Sequence, residues 1–254
     1  MRRTVLGTLA VLTMVVLAGC APSAPETVRS PAPRTSSATP TPTPTPVDPA
    51  TVLVDGMTTA QQAQSVIMGA APGTDPTSLR TYMSGGLGGF ILMGGNIPAS
   101  PAQLKQLTTA LTVDPSFPPL IATDEEGGTV KRLPWDGLPS ARELKTQDPG
   151  QTRQAFAARA RLLGDAGITV NFGIVADVPR DSSSFIHSRA YGTDPDAVAQ
   201  HVTAAVQGEH GAVMSTLKHF PGHGAAPGDS HHVIPATAET LDQWRTIDAE
   251  PFEA

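Results

Sequence analysis

Fifteen residues near the C-terminal end of the 254-residue chain, KHFPGHGAAPGDSHH (218–232), hold four of its seven histidines together with one lysine and one aspartate. Such groups can ligate a metal, transfer a proton or hold a polar ligand. His219 and His223 stand four residues apart, the spacing that puts two zinc ligands on one helical face. Phe220, Pro221 and Gly222 lie between them, however, and no glutamate accompanies the first, so a helical metal motif is not expected. A loop-built metal site would have to draw on His231, His232 and Asp229. The same residues also suit proton transfer. Asp229 precedes His231 by two positions, and a carboxylate bonded to one imidazole nitrogen fixes the tautomer, leaving the other nitrogen to give or take a proton near neutral pH. The plain alternative is a solvated DSH loop without a chemical role.

Two further segments carry groups of the same kind. TDEEGGTVKR (123–132) places Asp124 eight residues before Arg132, with Gly127 and Gly128 allowing a sharp turn between them. A carboxylate can accept two hydrogen bonds from adjacent sugar hydroxyls, and Arg132, Arg189 and Lys218 can donate to others or to a carbonyl. The competing use of Asp124 is an ion pair with one of these bases. ADVPRDSSSFIHSRAYG (176–192) supplies Arg189. The glycines of GGLGGFILMGGN (85–96) precede an apolar run instead of linking it to a helix, so they read as a close-packed turn and not as a phosphate loop. No GxSxG elbow is present.

Each polar segment follows a short apolar run, which is the arrangement a parallel α/β sheet requires. Strands are predicted at Ser65 to Met68, Gly89 to Met93, Leu120 to Thr123, Thr169 to Val175 and Met214 to Leu217. Helices are predicted from Ser100-Pro101 through Leu104, Leu107 and Leu111, through Phe156, Ala160 and Leu163 to Gly167, and from Asp194-Pro195 through Val198, Val202 and Val206 to Gly211. Polar loops after successive strands form the active face of a (β/α) barrel. The expected fold is therefore a (β/α)8 TIM-type barrel, of which about five βα units are present.

At these residues the sequence resembles bacterial β-N-acetylhexosaminidases of glycoside hydrolase family 3. TDEEGG.VKRL, HSRAYGTDP and KHFPGHG followed by DSH carry the resemblance, in that order, over about 200 residues from MTTAQQAQSVIMG to WRTIDAEPFEA. It implies retaining hydrolysis of a terminal β-linked N-acetylglucosamine, from peptidoglycan or its fragments, with no metal and no cofactor. It also implies that Asp124, Arg132, Arg189, Lys218 and His219 hold the sugar, that His231 is the acid/base and Asp229 its partner, and that His223 is a structural hydrogen-bonding residue. Histidine would then stand in place of one carboxyl group of the usual pair. The family's nucleophilic aspartate follows the seventh strand. No matching motif follows His231, and Asp242 and Asp248 lie in a helical pattern, so a truncated chain lacking the nucleophile is expected. A non-catalytic glycan-binding protein and a phosphorylase of the same fold are the alternatives.

The remaining sequence concerns delivery. Arg2 and Arg3, the apolar run Thr4 to Ala18 and Leu17-Ala18-Gly19-Cys20 resemble a lipoprotein signal, with Cys20 as the lipidated residue and residues 1–20 as the signal. Residues 21–50 contain nine prolines and ten serines or threonines. As an extended linker they would reach roughly 90 Å. The expected placement is extracytoplasmic, on a membrane through the lipid anchor, with the barrel part over 51–254. Cys20 is the chain's single cysteine, so the folded part has no disulfide to rely on. A net charge of -6 without a basic cluster argues against a nucleic-acid partner.

Overall fold

The computed structural model describes residues 48–254; Cys20, expected to be lipidated, the expected signal and most of the expected linker lie outside them. Asp48 caps a first helix, α1 (Pro49–Asp55), accepting a hydrogen bond from the Ala50 amide. Regular structure thus begins two residues before the expected boundary at 51, because an aspartate followed by proline is a good helix start. Among the described residues no helix is long and apolar enough to cross a membrane.

Five strands follow in chain order: β1 (Met68–Gly69), β2 (Gly89–Leu92), β3 (Leu120–Thr123), β4 (Val170–Val175) and β5 (Met214–Lys218). They form one parallel sheet in the order β1-β2-β3-β4-β5, with Gly89 opposite Leu120 and Val170 opposite Met214. The sheet is not closed on itself among these residues. The first predicted strand is displaced. Ser65 ends α2 (Thr59–Ser65), whose Thr58 and Gln61 form a reciprocal capping box, and pairing begins only at Met68. The glycines before β2 are needed for packing: a Cβ on Gly88 would lie 1.7 Å from the Ser65 carbonyl oxygen.

Helices connect the strands. Between β1 and β2 lies α3 (Pro76–Met83), and between β2 and β3 lies α4 (Pro101–Leu111), where Ser100 accepts from the Gln103 amide and Leu104, Leu107 and Leu111 are buried. After β3 come the short α5 (Ala141–Leu144) and α6 (Pro149–Asp165), which ends one residue before the Ala166-Gly167 cap, with Gly167 at φ 79°. That left-handed conformation is where glycine ends a helix without penalty. A 3-10 turn (Phe185–Ser188) and α7 (Pro195–Glu209) follow β4, and α7 packs against α6. The chain closes on α8 (Leu241–Ile247) and α9 (Glu250–Glu253).

Most of the core lies in two clusters, with Val175, Ile186 and Ala190 forming a smaller third one. One joins Phe90, Leu92 and Ile121 of the sheet to Leu79, Leu104, Leu107 and Leu111. The other joins Ile174 and Val178 to Phe156, Val198 and Val202. Each fully buried side chain of this kind stabilises the fold by about 1.5–3 kcal/mol. β5 contains no fully buried residue, and Met214 on it is 48% exposed.

Candidate active site

Because the strands are parallel, the residues that follow β3, β4 and β5 arrive at one edge of the sheet. Asp124 follows β3 directly, Lys218 ends β5 and His219 follows it, while Arg189 caps the 3-10 turn after β4. Asp124 accepts from Arg132 Nη2 at 3.1 Å and from Lys218 Nζ at 2.9 Å. Lys218 also contacts Glu126 at 2.7 Å, and Glu126 accepts from Arg189 Nε at 2.9 Å and Nη2 at 2.5 Å. Arg189 Nη2 lies 3.2 Å from His219 Nε2, and His219 Nδ1 lies 2.6 Å from Asp177 Oδ2. All five residues expected to hold a sugar therefore belong to one continuous network.

Two acidic members of that network were missed in the sequence. Glu126 stands two residues after Asp124 and Asp177 two residues after β4. The second was legible, since a carboxylate just past an apolar strand is the same signal that marked Asp124. Asp177 is fully buried and accepts three bonds, from His219 Nδ1, from the His219 amide at 3.1 Å and from the His223 amide at 2.6 Å. Burial pushes its carboxyl up, but these bonds outweigh burial and hold it below the ordinary aspartate range. Arginine can only donate, so the Arg189 contact makes His219 Nε2 an acceptor and places the proton on Nδ1. Asp124 behaves like Asp177: burial raises it, Lys218 and then Arg132 lower it more, and the net position is depressed.

The turn beneath Asp124 is fixed from below. Glu125 is completely buried, and its Oε2 accepts from the amides of Arg132 at 2.8 Å and Leu133 at 3.0 Å. Burial, with the neighbouring Asp136 carboxyl adding to it, raises Glu125 to about 7. Gly127 and Gly128 take φ 83° and 67°, and a Cβ on Gly127 would meet Arg159 Nη2 at 2.5 Å. Arg159 is itself buried, paired with Asp136 at 2.8 Å and donating to the Pro139 carbonyl at 3.1 Å. Arg132 and Asp124 are thereby presented on a turn that α6 holds in place.

His231 and Asp229 form the expected pair, with Nδ1 to Oδ1 at 2.6 Å. The pair sits on the loop after β5, and the His231 side chain is 71% exposed. The backbone bond from His231 comes first among the contacts that lower the Asp229 carboxyl. Aromatic rings connect this pair to the network: Phe185 lies 6.1 Å from the His231 ring and 5.7 Å from that of His223, which lies 6.1 Å from His219. His223 makes its structural hydrogen bond through the main chain. Its backbone amide bonds Asp177, while both ring nitrogens are buried without a partner among the described residues. Its structural bond is made by the main chain because the turn, not the ring, faces Asp177.

A cavity of about 360 Å³ adjoins the network, lined by Glu126, Gly128, Ser140, Arg142, Ser188 and Arg189. A larger groove of about 610 Å³ runs along α6 and α7, past Arg153, Asp196 and Gln207. It is lined by none of Asp124, Glu126, Arg189, Lys218 and His219, so size alone does not locate the site. Among the described residues no group of three histidine, cysteine, aspartate or glutamate side chains converges as a metal site.

A parallel α/β sheet with polar loops gathered at the C-terminal strand ends is the architecture of TIM-barrel-type enzymes. The comparisons agree. Residues 76–254 match the family described as glycosyl hydrolase family 3 N terminal domain, and the chain belongs to that family. A beta-hexosaminidase of Pseudomonas aeruginosa is 35% identical over 172 residues, covering 65% of this chain and 51% of the relative. A family 3 beta-N-acetylglucosaminidase structure from Paenibacillus superposes with a TM-score of 0.72 at 29% identity, covering 78% of this chain and 39% of that one. A family member from Mycobacterium smegmatis gives a TM-score of 0.68 at 30% identity, over 78% of this chain and 60% of that one. The chain spans about half the length of the curated relatives it matches.

Proposed function

We propose that this chain carries the sugar-holding groups and the proton-transfer pair of a retaining β-N-acetylglucosaminidase acting on peptidoglycan or its fragments. The observation that carries this reading is the unbroken network from Arg132 through Asp124, Lys218, Glu126 and Arg189 to His219 at the strand ends. The names of the relatives, beta-hexosaminidase and beta-N-acetylglucosaminidase, support the sugar class.

In this reading Asp124 accepts from vicinal hydroxyls and Arg132, Arg189, Lys218 and His219 orient the rest of the ring. Glu126 and Asp177 keep the donors in place. Asp229 holds the Nδ1 proton of His231, so Nε2 in its protonated form gives a proton to the leaving oxygen and, once deprotonated, takes one from the attacking water. Asp124, Glu126 and Asp177 are all engaged by cations or by His219, so the nucleophile is assigned to none of them.

Two measurements test the reading. Titration of the 254-residue chain with N-acetylglucosamine should give binding that Asp124→Ala abolishes. In the protein expressed from its complete gene, His231→Ala should cost far more activity toward poor leaving groups than toward good ones, by about 100-fold or more for the poor ones, as loss of a general acid requires. Equal losses for both would remove His231 as the donor. For placement, the Leu17-Ala18-Gly19-Cys20 stretch supports a lipid-anchored, extracytoplasmic protein. Cys20→Ala should move it from the membrane fraction to the soluble one, and an unchanged distribution would overturn the anchor.

A further inference from the structure

The loop that carries Asp229 and His231 has little of its own to hold it. Within residues 225–238 the hydrogen bonds are local: the amides of His232 and Val233 donate to the Asp229 carbonyl at 2.9 and 3.0 Å, and Asp229 bonds His231. No hydrogen bond among the described residues joins this segment to any residue beyond Glu239. Ile234 in its middle is 95% exposed and Val233 is 52% exposed. What sets the position of the pair must therefore act at the two ends of the loop.

One residue reaches both, through its main chain at the first end and its side chain at the second. Arg180, on the segment after β4, donates through its amide to the Gly224 carbonyl at 3.4 Å, where the loop begins. Its Nε donates to Glu239 Oε1 at 3.0 Å, where the loop ends, and Nη2 contacts the same oxygen. Nη1 donates to the Val178 carbonyl at 2.7 Å and Nη2 to Asp248, which is 1% exposed. The fit at the first end is close, since a Cβ on Gly224 would lie 1.9 Å from the Val178 carbonyl oxygen. A planar guanidinium with five donors in a fixed fork suits this task, because each bond constrains the direction of the others.

We propose that Arg180 is a positioning residue that joins the two ends of the 224–239 loop and so keeps the Asp229–His231 pair above the sugar-holding network. Fixing the ends of a flexible loop removes most of its freedom to move sideways, and the Phe185 ring then gives His231 a surface to rest on. Arg180 touches neither the sugar nor His231, so it acts through the loop. The proposal rests on the reading of His231 as proton donor.

Removing Arg180 leaves Asp248 buried without its partner, so the decisive variant is Glu239→Gln. It weakens the clamp at one end and leaves Arg180 on Asp248 and Val178. In the protein expressed from its complete gene, Glu239→Gln should lower kcat/KM for a poor leaving group about 10-fold more than for a good one, a part of the general-acid contribution. In the 254-residue chain the same variant should speed amide deuterium exchange across 225–238 and leave the affinity for N-acetylglucosamine unchanged. If His231→Ala shows the selective loss and Glu239→Gln does not, the clamp is wrong while the proton-donor reading stands. If His231→Ala shows no selective loss, that reading fails, and exchange in 225–238 decides the clamp alone: unchanged exchange overturns it, faster exchange supports it.

Discussion

Asp177 Oδ2 and His219 Nδ1 lie 2.6 Å apart, and Asp177 is fully buried where His219 is partly open. The carboxylate fixes the tautomer of a ring whose Nε2 meets Arg189. Asp177→Asn should therefore turn or free the ring without emptying the site. Hydrogen bonds to charged groups are worth about 1.5–3 kcal/mol, so N-acetylglucosamine affinity should fall roughly 10- to 100-fold. Isothermal titration of the 254-residue chain measures it, and an unchanged Kd would show that His219 is held by Arg189 alone.

Asp124 and Asp177 have depressed carboxyls in the folded chain. An acid whose folded value is lowered contributes stability above its unfolded value, and that contribution is lost as pH falls through the folded value. The chain should accordingly lose thermal stability below the ordinary aspartate range, about pH 3.9. In Asp124→Asn the loss over the same acid range should be smaller. Melting curves from neutral to acid pH check the sign.

Glu125 works in the opposite direction. Its carboxyl is raised from 4.5 to about 7 in the folded chain, so the fold binds a proton that the unfolded chain releases. Its stabilising contribution is full at low pH and is lost as pH rises from about 4.5 to about 7. Glu125→Gln keeps an oxygen for the Arg132 and Leu133 amides and offers Asp136 a donor. The variant should gain roughly 1–3 kcal/mol over the parent at alkaline pH and much less at pH 5, as chemical denaturation at the two pH values would show.

Gly88 tests the packing behind β2. An added methyl would overlap the Ser65 carbonyl, a backbone atom at the end of α2 that cannot swing aside. Gly88→Ala should destabilise by about 1–3 kcal/mol, the usual cost of overpacking, and lower Tm. A neutral result would mean that α2 moves freely against the sheet.

Strands β2 to β4 were legible because buried parallel strands are mostly apolar runs, β5 by its place after the α7 pattern, and α4 and α7 because Ser100-Pro101 and Asp194-Pro195 mark their starts. β1 was not, since a two-residue strand has no periodicity and the capping box at Thr58 carried the helix to Ser65. The five sugar-holding candidates could be named from residue type and resemblance. Glu126 and Arg180 could not, because what defines each is the partner it meets across 63 and 59 residues of sequence.

Lys218 is shared between Asp124 and Glu126, and this sharing sets the electrical character of the strand-end face. Arg132, Arg189 and Lys218 are matched there by Asp124, Glu126 and Asp177, three cations to three carboxylates. The face offers many directed donors and acceptors but almost no field to draw an ion in from a distance. An uncharged sugar can settle there by geometry alone, and its affinity should be nearly indifferent to ionic strength. Inorganic phosphate, which a phosphorolytic reaction would require, finds no excess of positive charge to greet it.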